Sequence, residues 1–279
     1  MQIYKTIAEI REALAGKALQ KKIGFVPTMG ALHKGHLSLV ERCHSESDLT
    51  VVSIYVNPTQ FGPQEDLNHY PRNLEKDIDL LRNYHVDIVF TPDDVQMYPE
   101  GYCTWVQVEG LSDILCGASR PGHFRGVATI VLKLMHIVNP KLMFMGMKDY
   151  QQIIVLEKMI EDLNLETKIV RCPIVREPDG LAMSSRNSYL TPDERQRATC
   201  LIKALKNAQK MVNEGHLDSS ILISEAENII KQSDGRIDYI KIVDGSTLQE
   251  LPEVRSGSRM MLAVYIGNTR LIDNIELLP

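Results

Sequence analysis

Ile23, Phe25 and Val26 form an apolar run too short for a helix, and Pro27, with no N–H for a sheet ladder, predicts that this buried strand ends there. Leu37, Leu39 and Val40 then predict a helix over about 36–46. Leu49 to Val56 (LTVVSIYV) is a continuous apolar, β-branched run, the pattern of a strand covered on both faces in a parallel sheet. Leu74, Ile78 and Leu81 recur at helical spacing over 74–84, followed by a strand from Val86 to Phe90. Ahead of all these, Ile7, Ile10, Leu14 and Ala18 stripe a first helix over 6–20. Alternating strands and helices predict a doubly wound α/β domain, whose ligand crevice lies beyond the carboxyl ends of its strands.

The pattern loosens over 91–123, apart from a strand-like stretch at Thr104–Val108. It returns with a helix carrying Val127, Ile130, Val131, Leu134 and Ile137, a strand at Leu142–Met145, a helix through Ile153, Leu156 and Ile160, and a last strand at 169–175 interrupted by Pro173. Residues 188–279 change character. Helices near 192–213 and 218–232 precede three strand candidates at 236–243, 259–266 and 269–276, which reads as a small α+β domain with a mainly antiparallel sheet. The expected division is a doubly wound domain over 1–175 and a smaller lid domain over 176–279.

Composition narrows the class. With 44% hydrophobic and 24% charged residues in 279, the chain matches an ordinary globular protein. A net charge of −5 with scattered Lys and Arg argues against a nucleic-acid partner. Five widely spaced cysteines without paired motifs read as reduced thiols. No signal pattern opens the chain and no apolar run reaches membrane-spanning length, so the expectation is a cytoplasmic protein with no membrane partner.

Candidate chemistry sits where the strands end. After the first strand come Thr28 to Leu32 and then His33-Lys34-Gly35-His36, with glycines for a tight turn and two imidazoles three apart at a helix start. Unpaired first-turn amides and the positive end of the helix dipole would make this an anion site, and zinc is the other reading of the histidine pair. Gln60 follows the second strand in Asn57-Pro58-Thr59-Gln60, and its amide suits a small polar substrate or merely tips a loop. Arg120, His123 and Arg125 cluster among glycines, as a phosphate site, a subunit contact or a solvated turn. After the 142–145 strand, Gly146-Met147-Lys148-Asp149 repeats the strand–glycine–polar–helix pattern. Lys148 can place a charge on phosphate, Asp149 suits a helix cap or a magnesium or ribose contact, and Gln152 follows one turn later.

The strand, glycine turn and His-x-Gly-His resemble the nucleotide-binding signature of the HIGH superfamily, and Met183-Ser184-Ser185-Arg186 resembles its second, mobile signature. With PTMGALHKGH, VNPTQFG, RPGHFRGV, GMKDYQQ and MSSRN in that order, the chain resembles the pantothenate synthetase (pantoate–β-alanine ligase) family over nearly its whole length. The resemblance implies a Rossmann-like fold, a homodimer, and a two-step reaction in which pantoate and MgATP give pantoyl adenylate, which β-alanine then captures. It further implies that Met29, Gly30, Ala31, Leu32, His33, Lys34, Gly35, His36, Gly146, Met147, Lys148, Asp149, Val175, Met183, Ser184, Ser185 and Arg186 hold ATP. Within that set His33, His36, Lys148, Ser184, Ser185 and Arg186 act on the reacting phosphates. Gln60 and Gln152 are expected to bind pantoate, and Asp77 falls where some members place a carboxylate associated with Mg²⁺. The competing expectation is a HIGH-motif nucleotidylyltransferase acting on a small phosphorylated acceptor.

Overall fold

The computed structural model describes residues 1–63 and 65–279, with Ala18 and Leu19 as backbone alone. The Ala18 position expected on the first helix's stripe therefore lies outside the described side chains. The residues group into two compact units, Met1–Met147 with Val155–Pro173, and Lys148–Ile154 with Ile174–Pro279.

The first unit is built on six parallel strands: β1 (Gln2–Tyr4), β2 (Ile23–Thr28), β3 (Leu49–Ile54), β4 (Ile88–Phe90), β5 (Leu142–Gly146) and β6 (Lys168–Cys172), in the order β1-β4-β3-β2-β5-β6. Its helices are α1 (Ile7–Leu14), α2 (Lys17–Gln20), α3 (Lys34–Glu46), α4 (Leu74–Arg82), α5 (Asp94–Met97), α6 (Cys116–Ser119) and α7 (His123–Val138); α8 (Tyr150–Asp162) continues from one unit into the other. All six residues of β3 are buried, as the unbroken apolar run requires. On one side, Val26, Val52 and Val89 of the sheet pack with Leu37, Val40 and Cys43 of α3 and Leu81 of α4. Helix α7 packs against α1 and β2.

The chain order reverses at β2, which has β3 on one side and β5 on the other. β2 pairs with β5 only at Gly24↔Leu142 and Phe25↔Met143, although β2 runs on to Thr28 and β5 to Gly146. Toward their carboxyl ends β2 and β5 thus no longer pair with each other, while each stays paired on its other side, at a topological switch point where open α/β sheets form their crevice.

Pro27 does not end the strand as expected. The Tyr55 N–H donates to the Thr28 carbonyl, so Thr28 faces β3, and strand alternation turns the donor-less nitrogen of Pro27 toward the β5 side, where pairing has already stopped. Other expectations also shift. The first helix stops at Leu14, where Ala15 leaves helical geometry (ψ 127°), and α2 forms separately. Thr104–Val108 is not a strand; the Val106 N–H donates instead to Thr129 Oγ1 of α7. β1, with two exposed residues and no alternation to betray it, is an edge strand absent from the sequence reading.

The second unit contains α9 (Pro192–Ala198), α10 (Cys200–Asn213) and α11 (Ser219–Gln232), with the antiparallel sheet β7 (Arg236–Asp244), β8 (Ser258–Ile266) and β9 (Thr269–Glu276). The helix expected over 192–213 is two helices meeting at Thr199. Leu201, Leu205 and Val212 of α10, Leu222 and Ile230 of α11, and Met260, Leu262 and Val264 of β8 form its core.

Candidate active site

The sequence-derived site residues fall into two groups, one in each unit. Met29–His36, Gln60, Asp77, Gly146 and Met147 belong to the first; Lys148, Asp149, Gln152, Val175 and Met183–Arg186 belong to the second.

In the first unit the β2–α3 turn is closed by side chains at every step. Thr28 Oγ1 donates to the Ser53 carbonyl (2.7 Å) and accepts from the Gly30 N–H (3.2 Å). The Ala31 and Leu32 amides donate to the two oxygens of Asp77, at 2.9 and 2.8 Å. Gly30 holds φ +81°, and a Cβ there would lie 2.9 Å from Asp77 Oδ2 and 3.1 Å from Ile54 Cγ2. Only glycine fits this position without displacing the carboxylate. Burial pushes the Asp77 carboxyl above the usual carboxylate range, although its two backbone donors pull the other way.

The histidines cap α3. His33 Nδ1 accepts the Gly35 N–H (3.1 Å), and His36 Nδ1 accepts the His33 N–H (3.4 Å), a capping box made of two imidazoles. Both Nδ1 atoms act as acceptors, so each ring carries its proton on Nε2. The rings lie 4.1 Å apart, tilted by 37°. Of the first-turn amides expected to be unpaired, those of Gly35 and His36 have acceptors. Gly35 donates to His33 Nδ1, while His36 and Leu37 both donate to the His33 carbonyl.

Gln60 ends a short 3-10 turn, Pro58–Gln60, capped by buried Asn57. Asn57 Oδ1 accepts from Tyr98 Oη (2.8 Å) and Thr59 Oγ1 (3.0 Å), while its Nδ2 donates to Gln60 Oε1 (3.0 Å) and to the Gly126 carbonyl (3.2 Å). Burial pushes the Tyr98 phenol up to about 12, so it remains a donor at neutral pH. With its Oε1 held, Gln60 presents Nε2, which approaches Met29 Sδ at 3.1 Å and so ties this turn to the β2–α3 turn. Asn57 was missed in the sequence because it reads as an ordinary strand-end turn residue.

In the second unit, Lys148 Nζ lies 3.2 Å from Asp149 Oδ1, and the Lys148 carbonyl accepts from Asn274 Nδ2 (3.1 Å). Asn274 Oδ1 in turn accepts from Arg259, whose guanidinium sits 4.0 Å over the Tyr150 ring. The neighbouring Asp273 is buried and takes a two-pronged contact from Arg176, at 2.6 and 3.0 Å. Burial raises the Asp273 carboxyl above its ordinary range despite that arginine. Arg176 pairs with Ala182 across a tight hairpin, and the Met183 N–H donates to the Val175 carbonyl. Ser184 Oγ then caps the 3-10 turn Ser185–Tyr189 by accepting the Arg186 N–H (3.3 Å). Asp273 and Asn274 thus brace both the Lys148 turn and the segment leading to Ser184–Arg186. They lie over a hundred residues from Lys148 in the chain, and no local pattern announces them.

Among the described residues no three His, Cys, Asp or Glu side chains gather as a metal site, and no helix is long and apolar enough to cross a membrane.

The family model described as pantoate-beta-alanine ligase matches residues 2–276. Pantothenate synthetase of Acetivibrio thermocellus is 48% identical over 277 residues, 99% of each chain, and that of Thermosipho africanus is 50% identical over 279 residues, again 99% of each. Among solved structures, a pantothenate synthetase from Thermus thermophilus superposes with a TM-score of 0.96 at 44% identity, covering both chains fully. A pantoate-beta-alanine ligase from Francisella tularensis, complexed with beta-gamma ATP and beta-alanine, superposes at 0.85 with 38% identity over 99% of this chain and 97% of that one. A match of this length and depth, on a fold that agrees over the full chain, leaves one conclusion: the chain belongs to the pantoate–β-alanine ligase family.

Proposed function

We propose that the protein joins pantoate to β-alanine at the expense of ATP, through pantoyl adenylate. A pantoate carboxylate oxygen attacks the α-phosphorus and displaces pyrophosphate; the β-alanine amine then attacks the acyl carbon, releases AMP and leaves an amide. The observation that carries the reading is the family match over residues 2–276, which takes in both histidines and Lys148.

No protein nucleophile is needed. The site must bring an anion to an already anionic phosphate chain and neutralise the charge that grows on pyrophosphate as it leaves. The donors assigned to this role are His33 and His36, through Nε2, together with Lys148, Ser184, Ser185 and Arg186, as the family resemblance implies. The resemblance assigns Met29–His36, Gly146–Asp149, Val175 and Met183–Arg186 to the nucleotide, and Gln60, through Nε2–H, with Gln152 to the pantoate carboxylate. Magnesium enters as MgATP, the substrate. Each oxygen of Asp77 accepts an amide of the turn, so this carboxylate holds the shape of the turn, and the resemblance also places it near the magnesium of MgATP. The reading extends to a homodimer, as the family resemblance implies, working in the cytoplasm, as the unpaired cysteine pattern suggests.

AMP release measured with pantoate, with β-alanine, and with both tests the proposal. Sustained AMP release should need both acids; pyrophosphate release with a phosphorylated acceptor and neither acid, the nucleotidyl group remaining on the acceptor, would refute it.

A further inference from the structure

Arg120 and His123, which the sequence reading left without a single role, converge on the backbone of Gln60. Arg120 forks onto Glu65, Nε to Oε1 at 2.7 Å and Nη2 to Oε2 at 2.6 Å. Its Nη1 lies 3.0 Å from His123 Nε2. A guanidinium has only donors, so Nε2 must accept and the ring proton sits on Nδ1. That N–H donates to the Gln60 carbonyl at 2.8 Å, and Arg120 Nη2 reaches the same oxygen at 3.4 Å. Burial pushes the Glu65 carboxyl up, but the hydrogen bonds and charge of Arg120 outweigh it and hold the group below the usual carboxylate range.

The same turn is gripped from a second side. A Cβ on Gly126 of α7 would lie 2.4 Å from the Thr59 carbonyl oxygen and 2.7 Å from the Gln60 nitrogen, so α7 meets the turn backbone at a bare position. Asn57 spans the contact, with Nδ2 on both Gln60 Oε1 and the Gly126 carbonyl. Residue 60 is thereby held at its carbonyl and its side chain, with its nitrogen close against Gly126.

We propose that Arg120 and His123, with Glu65 as their counter-ion, are positioning residues that set the orientation of Gln60 toward the acid substrate. This rests on the assignment of Gln60 to pantoate. Releasing the carbonyl lets the peptide rotate and swings the amide that it carries, and a displacement near 1 Å at a binding group costs up to about a hundredfold in rate.

Steady-state kinetics on wild type, His123→Ala, Gln60→Ala and the double variant test the assignment. His123→Ala should raise KM for pantoate about tenfold, as loss of one ordering hydrogen bond implies, and leave KM for ATP within about twofold. In the Gln60→Ala background the same change should add less than about twofold, since coupled residues are non-additive. His123→Asn, whose amide N–H takes the place of Nδ1–H, should preserve pantoate KM, while His123→Gln should not; this pair decides the matter should His123→Ala fail to fold. Equal rises in both KM values, full additivity, or identical Asn and Gln variants would overturn the proposal. Pantoate-dependent turnover in the wild type with an unchanged His123→Ala would overturn it alone, whereas no such turnover in the wild type would overturn the pantoate assignment with it.

Discussion

Gly30 shows how much one missing methyl group can decide. Its φ of +81° costs an alanine about 1–2 kcal/mol, and the new Cβ would push Asp77 off the amides that it holds. Gly30→Ala should therefore weaken ATP binding by about tenfold or more, the equivalent of some 1.4 kcal/mol or above, with a smaller loss of thermal stability. Calorimetric titration with a non-hydrolysable ATP analogue would show it, and unchanged affinity would mean that the turn does not grip the nucleotide. The glycine turn and both histidines were legible in the sequence because the motif is local. Asp77 was legible only as a position, since its partners lie over forty residues away and only the folded chain reveals that it serves amides.

At the scale of elements, α3 begins with a cap made from the two side chains to which the proposed function assigns the reacting phosphates. A histidine N-cap is uncommon because asparagine, aspartate and serine do the job better. His33→Asn should thus leave the melting temperature unchanged or slightly raised while the single-turnover adenylation rate falls. His36→Ala should lower that rate by about 10² to 10³, the loss expected for one transition-state donor. A His33→Asn protein that adenylates at the wild-type rate would reduce this histidine to its structural role. The strands and helices with strong periodicity, β3, α7, α11 and the three strands of the second unit, were all legible. Pro27 was misread because a proline rule applied to one strand cannot know which neighbour its nitrogen faces. The short edge strand β1 escaped because three residues carry no period.

Across the whole molecule, ionic contacts between distant segments give a pH signature. Glu65, fifty-five residues from Arg120, has its carboxyl held below the ordinary value. A group depressed in the folded state contributes stability that is present above its unfolded pKa of about 4.3 and is lost as pH falls through the folded value. Glu65→Gln should accordingly lower the melting temperature at pH 6–7, and the gap from wild type should close as pH drops below about 4. A gap independent of pH would show that packing, not charge, holds the contact. The α/β class and the antiparallel second unit were readable from the order of periods alone. The bracing of Lys148 and the 176–186 segment by Asp273 and Asn274 was not, because it pairs residues about a hundred positions apart.

The central claim is that the first chemical step makes an acyl adenylate from pantoate before the amine takes part. Exchange of labelled pyrophosphate into ATP, followed with pantoate present and β-alanine omitted, measures that step directly. The account predicts exchange that requires pantoate and proceeds without β-alanine; exchange indifferent to pantoate, or none in a preparation that still makes AMP from both acids, would contradict it.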